Sequence, residues 1–86
     1  MKIQIDPHTL ERAEERGANK EEIQDVIETG TPVAAKRDRL SKAKVFDFGQ
    51  IWNNKFYNQK RVQVIYTIEQ DTIITITVYV FYGEWK

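Results

Sequence analysis

The sequence predicts an α+β domain in which two N-terminal helices pack on an antiparallel sheet of three or four strands. Three observations carry that reading. Helix-type spacing, with matching start and stop residues, fills the first thirty positions, from Asp6-Pro7 to Gly17 and from Asn19 to Gly30. From residue 62 onward apolar residues recur at every second position, the period of a half-buried strand. Finally, 86 residues with 41% hydrophobic and 30% charged content suffice for one core and not for two, so residues 1–86 are expected to form a single domain.

Met1–Ile5 alternates apolar and polar side chains and reads as either a short edge strand or a lead-in. Asp6 followed by Pro7 starts a helix, because the carboxylate caps free N–H groups and proline is tolerated at the first helical position. That helix runs to Arg16, and Gly17 supplies the left-handed residue that ends it. Leu10, Ala13 and Gly17 form its expected core stripe. A second helix starts at Asn19 with Glu22 as its capping-box partner, buries Ile23, Val26 and Ile27, and closes at Gly30. "PVAAKRDRLSKAKVFDF" holds one or two strands, with the basic run as a mobile turn or extended arm. "GQIWNNKFYNQK" reads as a short strand with turn residues at both ends. "RVQVIYTIE" places Val62, Val64, Tyr66 and Ile68 on one face, and "QD" follows as a tight turn. "TIITITVYVFY" then places Ile74, Ile76, Val78, Val80 and Tyr82 on one face, with Ile73, Thr75, Thr77, Tyr79 and Phe81 on the other. This last strand is expected inside the sheet.

Composition excludes several chemistries. Without cysteine there are no disulfides or thiolate metal sites. One histidine and scattered carboxylates give no transition-metal set, so neither a metal nor a cofactor is expected. The opening residues lack the apolar run of a secretion signal and no stretch reaches the roughly 20 apolar residues of a membrane span. A cytoplasmic protein without membrane contact is therefore expected. Formal charge is zero but unevenly placed: residues 6–28 carry eight acids against three bases, and residues 36–61 carry eight bases against two acids. Such a split fits either a polyanion-facing side or two layers that attract one another.

The candidate site begins with the only histidine. At about 100° per residue His8, Arg12 and Arg16 fall within roughly an 80° sector of the first helix, away from Leu10 and Ala13. Arginine forks suit phosphate oxygens, and the helix dipole near His8 favours the neutral imidazole, available as a base. Against this, Arg12 has Glu15 three residues on as an ordinary surface partner. Arg37 and Arg39 lie in the densest basic patch, suited to tracking phosphates or simply to staying solvated. Lys55, Lys60 and Arg61 sit among Trp52, Phe56 and Tyr57, a mixture that stacks bases while holding a backbone, or else contributes aromatics to the core.

The spacing His8-x3-Arg12-x3-Arg16-Gly17, the capped helix ending at Gly30 and a terminal strand "ITVYVFYGEW" together resemble domain-of-unknown-function family 4258 over nearly the whole chain. That family looks similar in fold to RelE/ParE-type toxins and small metal-independent ribonucleases. The resemblance implies RNA cleavage or RNA binding, with His8, Arg12 and Tyr79 as catalytic candidates and Arg16 as a substrate-binding one, beside Arg37, Arg39, Lys55 and Lys60, which the basic stretches themselves offer for substrate binding. It also implies an antitoxin-like protein partner, and the small core leaves room for a homodimer. One departure stands out: the toxins tend to be strongly basic, whereas this chain is neutral. The alternative expectation is a non-catalytic protein-interaction module.

Overall fold

The computed structural model describes residues 1–85. Its elements are β1 (Lys2–Gln4), α1 (Pro7–Arg16), α2 (Lys20–Thr29), β2 (Thr31–Pro32), β3 (Leu40–Trp52), β4 (Lys55–Glu69) and β5 (Thr72–Gly83). The strands form one five-stranded sheet in the order β1-β5-β4-β3-β2. The sheet is mixed, since β1 runs parallel to β5 while every other pair is antiparallel. The α+β class with helices preceding the long strands agrees with expectation; the strand count and purely antiparallel pairing do not. Of the two edge pieces, β1 falls within the stretch read as a short edge strand or a lead-in, whereas β2, two residues long, is too short to impose a readable period.

Both helices follow their caps. The Asp6 carboxylate accepts the His8 N–H at 2.8 Å, and Gly17 ends α1 at φ 89°. In α2, Asn19 accepts from the Glu22 N–H at 2.8 Å while Glu22 accepts from the Asn19 N–H at 3.1 Å, which satisfies two otherwise free donors reciprocally. Each helix is ten residues long, and among the described residues no helix is long and apolar enough to cross a membrane.

The middle of the chain departs from its sequence reading. "GQIWNNKFYNQK" is not a strand between two turns: its Asn53-Asn54 pair, at φ 50° and 67°, is itself the turn joining two long strands. Asparagine tolerates the left-handed region that tight hairpins demand. Gln70-Asp71 turn in the same way at φ 48° and 62°, as expected. A second departure lies in β5. Ile65 faces Thr77 and Tyr66 faces Thr75, so Ile76 is an extra, bulged residue, and a bulge shifts the alternation by one. Thr75 and Val78 are therefore both buried, and the single face running from Ile74 to Tyr82 does not form.

The helices cover one face of the sheet. Ala13, Ile23, Val26 and Ile27 pack on Val62, Val64, Tyr66 and Val78, all 5% exposed or less. Burial of each valine or isoleucine stabilises by about 1.5–3 kcal/mol relative to exposure. The buried stripe of α1 is rotated from its expected position. Thr9 and Ala13 are fully buried, with Leu10 packed partly beside them. Thr9 is tolerated because the Thr75 hydroxyl donates to its Oγ1 at 3.0 Å and accepts the Asp6 N–H at 3.0 Å. Continuing that stripe by seven residues from Thr9 carries Arg16 towards β5 rather than away from the sheet.

Candidate nucleic-acid interface

The last turn of α1 leaves carbonyls without helical partners, and the sheet supplies donors to two of them. The Tyr82 hydroxyl donates to the Arg16 carbonyl at 2.6 Å, and Lys60 Nζ donates to the Gly17 carbonyl at 2.7 Å. Lys60 also pairs with Glu22 at 2.9 Å, placing a cation where the helix dipole favours one. Around Tyr82 gather Trp52, stacked at 5.0 Å, Phe48 at 5.2 Å and Tyr57 at 5.5 Å. Burial, with the Glu22 carboxylate adding to it, pushes the Tyr82 hydroxyl up to about 12, so it remains a donor at neutral pH.

With its backbone held, Arg16 sends its side chain around the edge of the sheet. β1 covers β5 only from Thr72 to Ile74, so the outer edge of β5 beyond that point has no neighbouring strand among the described residues. Arg16 Nη1 donates to the Val78 carbonyl on this edge at 2.6 Å. The guanidinium carbon lies 5.3 Å from the centre of the Tyr79 ring, within cation–π range. Tyr79 projects to the face that the helices leave open. Phe81 follows on the same face, with Gln63 and Arg61 as the cross-strand partners of Tyr79 and Phe81.

The structure thus brings Arg16 and Tyr79 together and leaves the other candidates apart. His8 is exposed in the first turn of α1, some 12 Å of helical rise from Arg16. Arg12 pairs with Glu15 at 3.2 Å on the surface. Arg37 and Arg39 line a hollow of about 560 Å³ in the exposed loop before β3. Lys55 stands at the β3–β4 hairpin, its Nζ 5.4 Å from the Tyr57 ring. Lys60 is 6% exposed and turned inward, because its position on β4 alternates with the helix layer; its ammonium group binds the end of α1. A hollow of about 630 Å³ is lined by Asp47, Phe48, Gly49, Asn58, Gln59, Glu84 and Trp85. The Arg16–Tyr79 contact sits on an open edge and lines neither of these hollows.

Sequence reasoning passed over Tyr82 and Glu22 as anchors of α1, and over Phe81 and Gln63 on the open face; it named Arg61, but with the aromatics of the preceding stretch and not with Phe81. Pairing alternate positions across the β4–β5 hairpin brings these three together with Tyr79. Among the described residues no three His, Asp or Glu side chains gather as a metal site. No family model, curated protein or solved structure matches this chain.

Proposed function

We propose that the protein acts on RNA, as a toxin-like metal-independent ribonuclease or an RNA-binding relative of one. The observation that carries this reading is the Arg16–Tyr79 contact, which joins the first helix to the last strand at an open sheet edge. A guanidinium has five N–H donors. One of Arg16's is bound to Val78, and the others suit the oxygens of a phosphate. Tyr79, 41% exposed, offers a ring to a base and a hydroxyl to a ribose or phosphate oxygen. Arg12 needs to give up only an exposed pair stabilising by about 0.2–0.5 kcal/mol to reach a phosphate. Arg37 and Arg39, in the loop before β3, and Lys55, at the β3–β4 hairpin, are exposed cations at opposite ends of the β3–β4 pair. On the ribonuclease form of the reading, His8 activates the ribose 2′-hydroxyl or protonates the leaving oxygen, and arginine stabilises the crowded phosphorane.

The test is incubation of end-labelled RNA with the protein in the presence of a chelator, following both binding and cleavage. Arg16→Ala is expected to weaken binding at least tenfold. If the protein cleaves, His8→Ala is expected to abolish cleavage and spare binding. Absence of both binding and cleavage overturns the proposal and favours the second reading, a non-catalytic protein-interaction module. That reading draws on the unpaired outer edge of β5 around Val80 and Tyr82, where a partner strand could add.

A further inference from the structure

The open face of the sheet carries two aromatic rings that the helix layer does not need. Tyr79 is 41% and Phe81 46% exposed, and their ring centres lie 6.5 Å apart at an interplanar angle of 31°. Adjacent apolar side chains left in water form a contiguous patch, the kind of surface that serves for contact. Each ring has an arginine beside it: Arg16 over Tyr79, and Arg61 in register with Phe81 across the strand pair. The carboxamide oxygen of Gln63, opposite Tyr79, accepts from Arg61 at 3.4 Å. Two rings and one fork thus lie on the β4–β5 hairpin, and α1 brings the second fork, Arg16, to its edge. The flanking cations favour a polyanion over an apolar peptide as the occupant.

The spacing of the rings narrows the ligand further. Bases in a stacked duplex strand rise ~3.4 Å each, about half the separation of the two rings. Two neighbouring bases reach both rings only from a strand that is extended and unstacked. Duplex RNA, with its bases paired and inside, presents no ring faces to such a platform. We infer that Tyr79 and Phe81 form a two-base stacking site for single-stranded RNA, with Arg16 and Arg61 holding the phosphates that flank those bases. This inference rests on the RNA reading above and assigns to it a ligand form and a residue, Phe81, outside the His8–Arg12–Arg16 helix.

The experiment is fluorescence anisotropy with a labelled ten-nucleotide single-stranded RNA of mixed sequence and with the duplex made from it, over a salt series. Single strands are expected to bind at least tenfold more tightly than duplex. Phe81→Ala is expected to weaken single-strand binding roughly 5- to 100-fold without changing the salt slope, because it removes no charge. Phe81→Tyr should restore most of the affinity. Arg61→Ala should lower the slope of log affinity against log salt by about 0.7, the value for one phosphate contact on a single strand. Circular dichroism melts of each variant separate loss of the site from loss of the fold. Equal binding of duplex and single strand, or tight binding indifferent to Phe81→Ala, overturns this inference and leaves the RNA reading standing. No RNA binding in any form overturns both. Self-association in light scattering that Phe81→Ala abolishes, with no RNA bound, would assign the face to a second copy of the chain and also overturn it.

Discussion

Gly17 sits where the end of α1 meets Tyr82 and Trp52 of the sheet, and replacing it with alanine has a cost that can be worked in two parts. The first is conformational. At φ 89° a residue with a Cβ is strained by about 1–2 kcal/mol. The second is steric. A Cβ there would collide with the Tyr82 hydroxyl and press on the Trp52 ring at 3.1 Å. Tyr82 must then retreat, losing its bond to the Arg16 carbonyl, which contributes about 0.5–1.5 kcal/mol, and loosening its stack on Trp52, about 0.5–1.5 kcal/mol more. Gly17→Ala is therefore expected to destabilise by about 2–5 kcal/mol. Gly49 provides the control. It is also left-handed, at φ 59°, but a Cβ there meets nothing within 4 Å, so Gly49→Ala should show the conformational cost alone. Urea denaturation of both variants gives the difference directly. A third variant sharpens it: in Gly17→Ala/Tyr82→Phe the colliding hydroxyl is gone, and the double change should cost less than the two single changes added. Equal destabilisation by Gly17→Ala and Gly49→Ala, with strict additivity in the double variant, would falsify the claim that Tyr82 grips the end of α1.

The other expectations concern the same anchor. Lys60→Ala removes one partner of a largely buried ion pair and should destabilise by about 3 kcal/mol, the low end for such pairs because Glu22 keeps some contact with water. The double replacement Lys60→Met/Glu22→Gln, which removes both charges and keeps an acceptor for the Asn19 N–H, should recover most of that loss in the same denaturation assay. In an ultraviolet titration the Tyr82 step should appear near pH 12 and vanish in Tyr82→Phe. Because its folded value lies above the unfolded value of 10.0, the stability it contributes is whole below pH 10 and is lost as pH rises through about 12. The Tyr82→Phe protein should accordingly show a shallower loss of stability across that window, measured by chemical denaturation at fixed pH.

How much of this was legible in the sequence depends on how local each signal was. The caps of α1 and α2 sit within three residues of the helices they begin, so Asp6, Gly17 and Asn19 could be read directly. The Gln70-Asp71 turn was legible because a long strand pattern flanks it on each side. Asn53-Asn54 was hidden by aromatics that suggested a continuous strand. The bulge at Ile76 leaves no mark in "TIITITVYVFY"; it exists only as a mismatch with β4, and pairing register is not a local property. For the same reason strict alternation puts Thr75 on the face of Tyr79 and Phe81, although it is 2% exposed and bonded to Thr9. At the site, helical spacing grouped His8, Arg12 and Arg16, but it could not foresee that Thr9 would be buried. Burial of Thr9 turns the helix so that Arg16 reaches β5 while His8 stays in solvent.

The charge split resolves in the same terms. Lys42, Lys44 and Lys60 occupy strand positions that alternate onto the helix side, and each meets the acidic helix pair or its C-terminal carbonyls: Ile27 O at 2.8 Å, Asp25 at 2.8 Å and Glu22 at 2.9 Å. Three of the eight bases between residues 36 and 61 thus hold the two layers together, which is one of the two meanings the split allowed. The remaining five include Arg37, Arg39 and Arg61, in the exposed loop or on the open face. All three bridging bases are lysines, point charges on flexible stems, whereas all three arginines, with their planar forks, are left outside together with Lys36 and Lys55. A two-residue period applied to charges as well as to apolar residues would have sorted Lys60 from Arg61 before any coordinates existed. It also leaves Arg61 on the open sheet face, at whose edge Arg16 arrives from the helix layer to stand beside Tyr79.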